Sequence, residues 1–145
     1  MNNYEVFQEK FGIEQNIIFQ TKYWNWSLRP LQPVVGSGIL SANFPVERMS
    51  DLPVEAGEDL IKMMKIIENT LKKAVGMELM NYVMLMLVDH HVHYHVIPRF
   101  SGKVTINGKT FTDEFWCKPV VLDSGKYSKE ELEDIKNYIK DNLVV

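Results

Sequence analysis

Hydrophobic residues along this chain keep two rhythms. Leu60, Met64, Ile67, Leu71 and Val75 recur at the spacing of one helical face. Ser50, Asp51 and Pro53 ahead of them supply helix-entry chemistry and Gly76 a stop, so the pattern predicts one long helix. The same rhythm returns in Leu132, Ile135 and Ile139, behind Ser128-Lys129-Glu130-Glu131, which has the spacing of a capping box. An amphipathic helix running to the C-terminus is expected there, and a short opening helix over Asn3–Lys10, halted by Gly12.

Elsewhere the period is two. Strands are expected over 16–21 and 23–28, the second placing Trp24 and Trp26 on one sheet face. Another is expected over 34–42, where Gly36 and Gly38 leave room for close backbone approach. The run 80–88 is apolar enough to be a strand covered on both faces, and it leads into a strand over 91–98. These two are expected to pair in the centre of the sheet. Val104-Thr105-Ile106 and Lys109-Thr110-Phe111 flank Asn107-Gly108, the dipeptide that best accepts positive φ at both central positions of a tight hairpin turn. The fold class read from this order is α+β: a central antiparallel sheet of about five strands with a long helix and a C-terminal helix. No long repeat and no Pro/Gly/Ser-rich linker divides the sequence, so residues 1–145 are read as one domain.

Composition narrows the function. At 46% hydrophobic and 24% charged residues the chain is not a disordered binder. Its formal charge of -3 offers no global positive field for a nucleic-acid polymer or an anionic membrane, so phosphate recognition has to be local. The one cysteine, Cys117, fits a reducing compartment, and the N-terminal MNNYEVFQEK has neither the basic flank nor the apolar stretch of a signal peptide. A cytoplasmic location without a membrane segment is expected.

All four histidines fall between residues 90 and 95, in Asp89-His90-His91-Val92-His93-Tyr94-His95-Val96-Ile97-Pro98-Arg99. Alternation along a strand sets His91, His93 and His95 in a row on one face, with Asp89, Ile97 and Arg99 sharing their parity. One histidine on a strand is ordinarily a hydrogen-bonded core or surface residue. Three in alternation point further. Metal binding is one possibility, although the outer two lie roughly 13 Å apart along a strand and one ion cannot easily take all three. The other is phosphoryl or nucleotidyl transfer, in which a neutral imidazole attacks phosphorus while its neighbours hydrogen-bond the developing charge.

His91-Val92-His93-Tyr94-His95-Val96-Ile97 matches the His-φ-His-φ-His-φ-φ signature, φ being apolar, and in it the chain resembles the histidine triad (HIT) superfamily. The likeness extends from Asn16 to about Arg99: Ile17-Ile18-Phe19-Gln20-Thr21, the strand 33–40, Met49-Ser50-Asp51-Leu52-Pro53 before a long helix, and paired strands ending in the triad occur in the family's order. Trp26-Ser27-Leu28-Arg29-Pro30 and the segment 81–89 are similar to a less studied bacterial branch.

The resemblance implies a nucleotide hydrolase or nucleotidyltransferase, usually a homodimer, needing no metal or organic cofactor. It implies that His93 attacks the α-phosphate of a nucleoside phosphoramidate, dinucleoside polyphosphate or nucleotide sugar, forming a nucleotidyl-histidine, with His91 and His95 orienting it and contacting phosphate. Two departures stand out. Many members carry Gly-Gln-Ser/Thr before the triad, where this chain has Leu87-Val88, which offer no side-chain hydrogen bond. A histidine common in the loop before the long helix is missing from Asn43-Phe44-Pro45-Val46-Glu47-Arg48. A nucleotide-binding protein with weak or no catalysis is therefore the alternative, and a metal-dependent hydrolase a third class. Asp89 and Arg99 are the candidates for compensating polar contacts, Asp89 on an imidazole or a ribose hydroxyl. Trp26 is either core or a stacking surface for a base, and Trp116, beside Phe115, a candidate wall over the site. The methionines Met63, Met64, Met77, Met80, Met84 and Met86 read as core packing or a dimer seam.

Overall fold

A computed structural model describes residues Met1–Val145. Five strands form one antiparallel sheet: β1 (Ile17–Gln20), β2 (Trp24–Leu28), β3 (Gly38–Ala42), β4 (Leu79–Val83) and β5 (His93–Arg99), in the spatial order β1-β2-β3-β5-β4. The hairpin β6 (Lys103–Ile106) and β7 (Lys109–Thr112) stands apart, turned by Asn107 and Gly108 at φ 48° and 82° as its dipeptide requires. Three helices complete the chain: α1 (Asn3–Lys10), α2 (Val54–Val75) and α3 (Lys129–Asp141). The α+β class, the long helix, the hairpin and the capped terminal helix all correspond to the pattern in the sequence.

The sheet's two faces differ in chemistry because each strand alternates. One face carries Trp24, Trp26, Leu28, Leu40, Ala42 and Val96 into the main core, against Leu60, Met63, Ile67 and Leu71 of α2. Each such buried side chain contributes about 1.5–3 kcal/mol, which anchors α2 to this face. Trp24 adds a hydrogen bond from Nε1 to the Ala56 carbonyl at 2.8 Å. Gly38 is required here, since a Cβ would stand 2.8 Å from Trp26 Nε1 and 2.9 Å from the Ser27 carbonyl. α2 ends at Gly76, left-handed at φ 70°, and α3 begins with the reciprocal Ser128–Glu131 capping box.

The opposite face carries Asn25, Ser27, Ile39, Ser41, His93 and His95. All are buried. α1 covers part of it through Phe7, and the segment after the hairpin covers another part, with Gln32 N–H bonded to the Gly125 carbonyl at 2.8 Å.

Two strands are shorter than expected. The strand over 34–42 pairs only from Gly38, because Gln32 and Ser37 close a tight turn around Val34–Gly36. The run 80–88 yields β4, which ends at Val83 and lies at the sheet edge, not in its centre. Leu85, Leu87 and Val88 beyond it are exposed. An apolar run reports hydrophobicity without saying what covers it. No helix is long and apolar enough to cross a membrane.

Candidate active site

His93 and His95 are fixed by β5, opposite Ser41 and Ile39 of β3. His91 precedes the strand, where Val92 bonds Val46 and Ala42 through its backbone, yet all three imidazoles come together. The ring centroids of His93 and His95 lie 5.2 Å apart, and the Phe7 ring is 4.9 Å from both His91 and His93. Relative exposures are 1%, 0% and 6% for His91, His93 and His95.

Hydrogen bonds assign the protons. His93 Nδ1 lies 2.6 Å from the His91 carbonyl, which only accepts, so Nδ1 carries the hydrogen and Nε2 keeps a bare lone pair. His91 Nε2 donates in the same way to the Ala42 carbonyl at 2.8 Å. His95 Nδ1 instead accepts from Arg29 Nε at 3.1 Å, which leaves the imidazole hydrogen on Nε2. The site thus sets an unprotonated nitrogen on His93 beside a donor on His95.

Burial lowers the pKa of all three imidazoles below the ordinary range. For His95 the drop, to about 4, comes from desolvation first and then from the charges of Arg29 and His93. All three are neutral near pH 7, the form in which a histidine can be a nucleophile.

α1 closes over the row. Tyr4, Phe7 and Phe11 take helical spacing toward it, with Tyr4 4.9 Å from His91 and Phe11 6.2 Å from His95. The helix is tied at one end by Asn3 to Glu47 at 3.0 Å and at the other by Lys10 to Asp89 at 2.7 Å. Beneath this cover His93 Nε2, His91 Nδ1 and the neighbouring Ser41 Oγ are buried without hydrogen-bond partners, as is Gln8 Oε1 of α1 itself. A cavity of about 320 Å³ opens beside His91, bordered by Tyr4, Phe44, Glu47 and Asp51.

The other candidate residues fall differently. Asp89 bonds Lys10 and no imidazole. Arg99 lies at the far end of β5 and is consumed structurally: its Nε donates to Asp113 at 2.7 Å, and its Nη groups to Asn81 and to the Phe115 and Lys118 carbonyls. Its role as a substrate contact is corrected to that of an anchor. Trp26 is corrected too, being fully buried on the sheet face turned away from the triad. Trp116 borders a cavity with Arg99, Asn81 and Leu79 at the same far end, and this cavity includes no histidine. No three His, Cys, Asp or Glu side chains converge as a metal-binding group.

Arg29 and the α1 aromatics are residues in contact with the triad that the strand pattern alone did not single out. The spacing of Tyr4, Phe7 and Phe11 was a readable signal that α1 has an aromatic face. Arg29 gave no such signal, since its partner is 66 positions away.

No family sequence model matches the chain, and no curated protein matches it in sequence. Solved structures do match in fold. A Hit-like protein involved in cell-cycle regulation from Bartonella henselae superposes with a TM-score of 0.71 at 16% identity, covering 99% of this chain and 98% of that one. A histidine triad protein from Sinorhizobium meliloti gives 0.69 at 22% identity, covering 91% and 93%. The diadenosine triphosphate hydrolase of Plasmodium falciparum gives 0.64 at 17% identity, covering 97% and 95%. The chain has the fold of the histidine triad proteins.

Proposed function

We propose that the chain is a histidine triad enzyme, a nucleotide hydrolase or nucleotidyltransferase in which His93 carries the nucleotidyl group. The observation that supports this most is the bond from His93 Nδ1–H to the His91 carbonyl, which holds the Nε2 lone pair ready for attack without any proton transfer. In the first step Nε2 attacks the α-phosphorus of a nucleoside phosphoramidate, dinucleoside polyphosphate or nucleotide sugar. A phosphorus–nitrogen bond forms, and the bond to the leaving group breaks with its electron pair. In the second step water or another acceptor attacks phosphorus, the phosphorus–nitrogen bond breaks and returns its pair to Nε2, and the attacking group gives up its proton to solvent. His95 Nε2–H hydrogen-bonds the charge that develops on phosphate oxygen.

His93 is sealed, so α1 withdraws before a substrate reaches it. The reading extends to a homodimer, supported by the apolar residues Val54 and Ile61 of α2 and Leu79 of the edge strand, all exposed, and to a cytoplasmic protein without a resident cofactor.

One feature favours a second reading, nucleotide binding with weak or no turnover. Leu87 and Val88 are 85% and 75% exposed, so nothing from that stretch assists the leaving group. Intact mass measurement after incubation with a panel of adenosine and guanosine phosphoramidates, dinucleotides and nucleotide sugars, with and without chelator, separates the readings. A nucleotidyl adduct that forms in chelator and vanishes in His93→Ala is expected. Tight binding with neither adduct nor product sinks the enzymatic reading, and chelator-sensitive turnover replaces it with metal chemistry.

A further inference from the structure

Two of the three bonds that orient the triad end on backbone carbonyls; the third ends on a guanidinium. Arg29, at the end of β2, is buried, and burial lowers its pKa from the usual arginine range, while the charge of Asp123 opposes that shift. Its Nη1 donates to the Leu122 carbonyl at 2.7 Å and the Leu31 carbonyl at 3.2 Å, which fixes the plane of the group and aims Nε–H at His95 Nδ1. A guanidinium only donates. A proton on His95 Nδ1 would therefore face an N–H and a positive charge.

We infer that Arg29 is a positioning residue that locks His95 as a neutral Nε2–H donor, and that this confines the site to substrates with a P–O–P linkage at the α-phosphate, nucleoside and dinucleoside polyphosphates and nucleotide sugars, whose leaving group departs as a phosphate oxyanion, and excludes phosphoramidates. The inference rests on the nucleotidyl-transfer reading above and narrows its substrate class. When a P–O–P linkage breaks, the electron pair stays on the bridging oxygen, which becomes a terminal oxygen of the released phosphate and needs no proton. A phosphoramidate breaks P–N, and the amine requires a proton on nitrogen to leave. A neutral imidazole hydrogen-bonds such an atom but is far too weak an acid to protonate it.

The Tyr4 phenol stands against His91, not His95, with its pKa raised by burial, and no group packed on His95 supplies that proton. From β5, His93 is neutral, with its one hydrogen on the His91 carbonyl. His91 places its hydrogen on Ala42. From α1, Lys10 is engaged by Asp89, and these two opposite charges act on His95 in opposite directions. Phe11 closes that side with an aromatic edge. The drop in His95 basicity is the expected companion of this geometry.

The test begins with the unmodified protein. Imidazole nitrogen–proton correlation spectra across about pH 5 to 8, the interval in which an ordinary histidine titrates, are expected to show His95 as a single Nε2–H tautomer without titration. An Nδ1–H tautomer, or titration of His95 in that interval, overturns the lock. Diadenosine polyphosphate is expected to be turned over faster than adenosine phosphoramidate by at least about tenfold, with no acid-side rise in rate. A phosphoramidate preference overturns the substrate assignment. In Arg29→Ala, where Nδ1 loses its donor, an Nδ1–H tautomer of His95 becomes populated and its titration moves upward toward that interval, while Arg29→Lys restores the single Nε2–H form. An unchanged His95 in Arg29→Ala would refute the role of Arg29. Should these variants not fold, the spectra and the two-substrate comparison of the unmodified protein still decide. If neither substrate reacts and no adduct forms, the enzymatic reading and the substrate half of the inference fall together, while the spectra judge the lock by themselves.

Discussion

Replacing Phe7 with alanine tests how firmly α1 is closed over the triad. The Phe7 ring is 2% exposed and touches His91 and His93. Burial of such a side chain contributes about 1.5–3 kcal/mol, and aromatic ring contacts add about 0.5–1.5 kcal/mol. Its removal should weaken the docking of α1 by about 2–4 kcal/mol, a shift of roughly 30- to 1,000-fold in the ratio of open to closed forms. The closed form also carries a cost, since each buried polar atom without a partner is worth about 1–3 kcal/mol of desolvation. The Lys10–Asp89 pair returns little, because exposed ion pairs contribute about 0–1 kcal/mol. Phe7 is the one buried side chain of α1 and so the main apolar anchor of the closed form.

Hydrogen exchange reads this directly. In Phe7→Ala the amides of α1 should lose protection by that factor while those of β2, β3 and β5 keep theirs, and nucleotidyl-adduct formation at His93 should accelerate. Protection lost evenly across β2, β3 and β5, with α1 affected no more than they are, would refute the reasoning by making α1 part of the cooperative core.

Other expectations follow from single features. Gly125 is left-handed at φ 82°, and a Cβ there would land on the Gln32 carbonyl, so Gly125→Ala should cost about 2 kcal/mol or more, seen as a lowered Tm. Asp113→Ala leaves Arg99 buried without its carboxylate and should destabilise the fold by about 3–5 kcal/mol in denaturant titration, with the His93 tautomer unchanged. Acid should unfold the protein early. The triad imidazoles have pKa values below that of an unfolded histidine, so the unfolded chain takes up protons first; stability present above about pH 6.5 is lost as pH falls toward about 4, where His95 titrates. The His95→Ala variant should show a flatter acid limb in thermal melts between those limits.

Periodic features were the legible ones. The α2 face, the Ser128 capping box and the Asn107-Gly108 turn depend on neighbours within a few positions, and each appears where its spacing puts it. The histidine row was legible for the same reason, as three residues two apart. What failed depends on the third dimension. The run that continues past Val83 has the composition of a buried strand, but nothing covers Leu87 and Val88. Trp26 and Arg99 were the right residue types for a base and a phosphate; only the sheet's facing sends Trp26 to the α2 side, and only the fold of the 113–118 turn brings Asp113 to Arg99. Arg29 was hidden most deeply, because a charge aimed at an imidazole leaves no trace in periodicity.

The carbonyl of His91 settles a further matter, the regiochemistry of any covalent intermediate. With Nδ1 occupied by a proton held on that oxygen, phosphorus can join the ring only through Nε2, giving the tele isomer of the phosphohistidine linkage and never the pros isomer. The two isomers are distinguishable by phosphorus–nitrogen coupling patterns, so the backbone of residue 91 leaves its signature on the product it never touches.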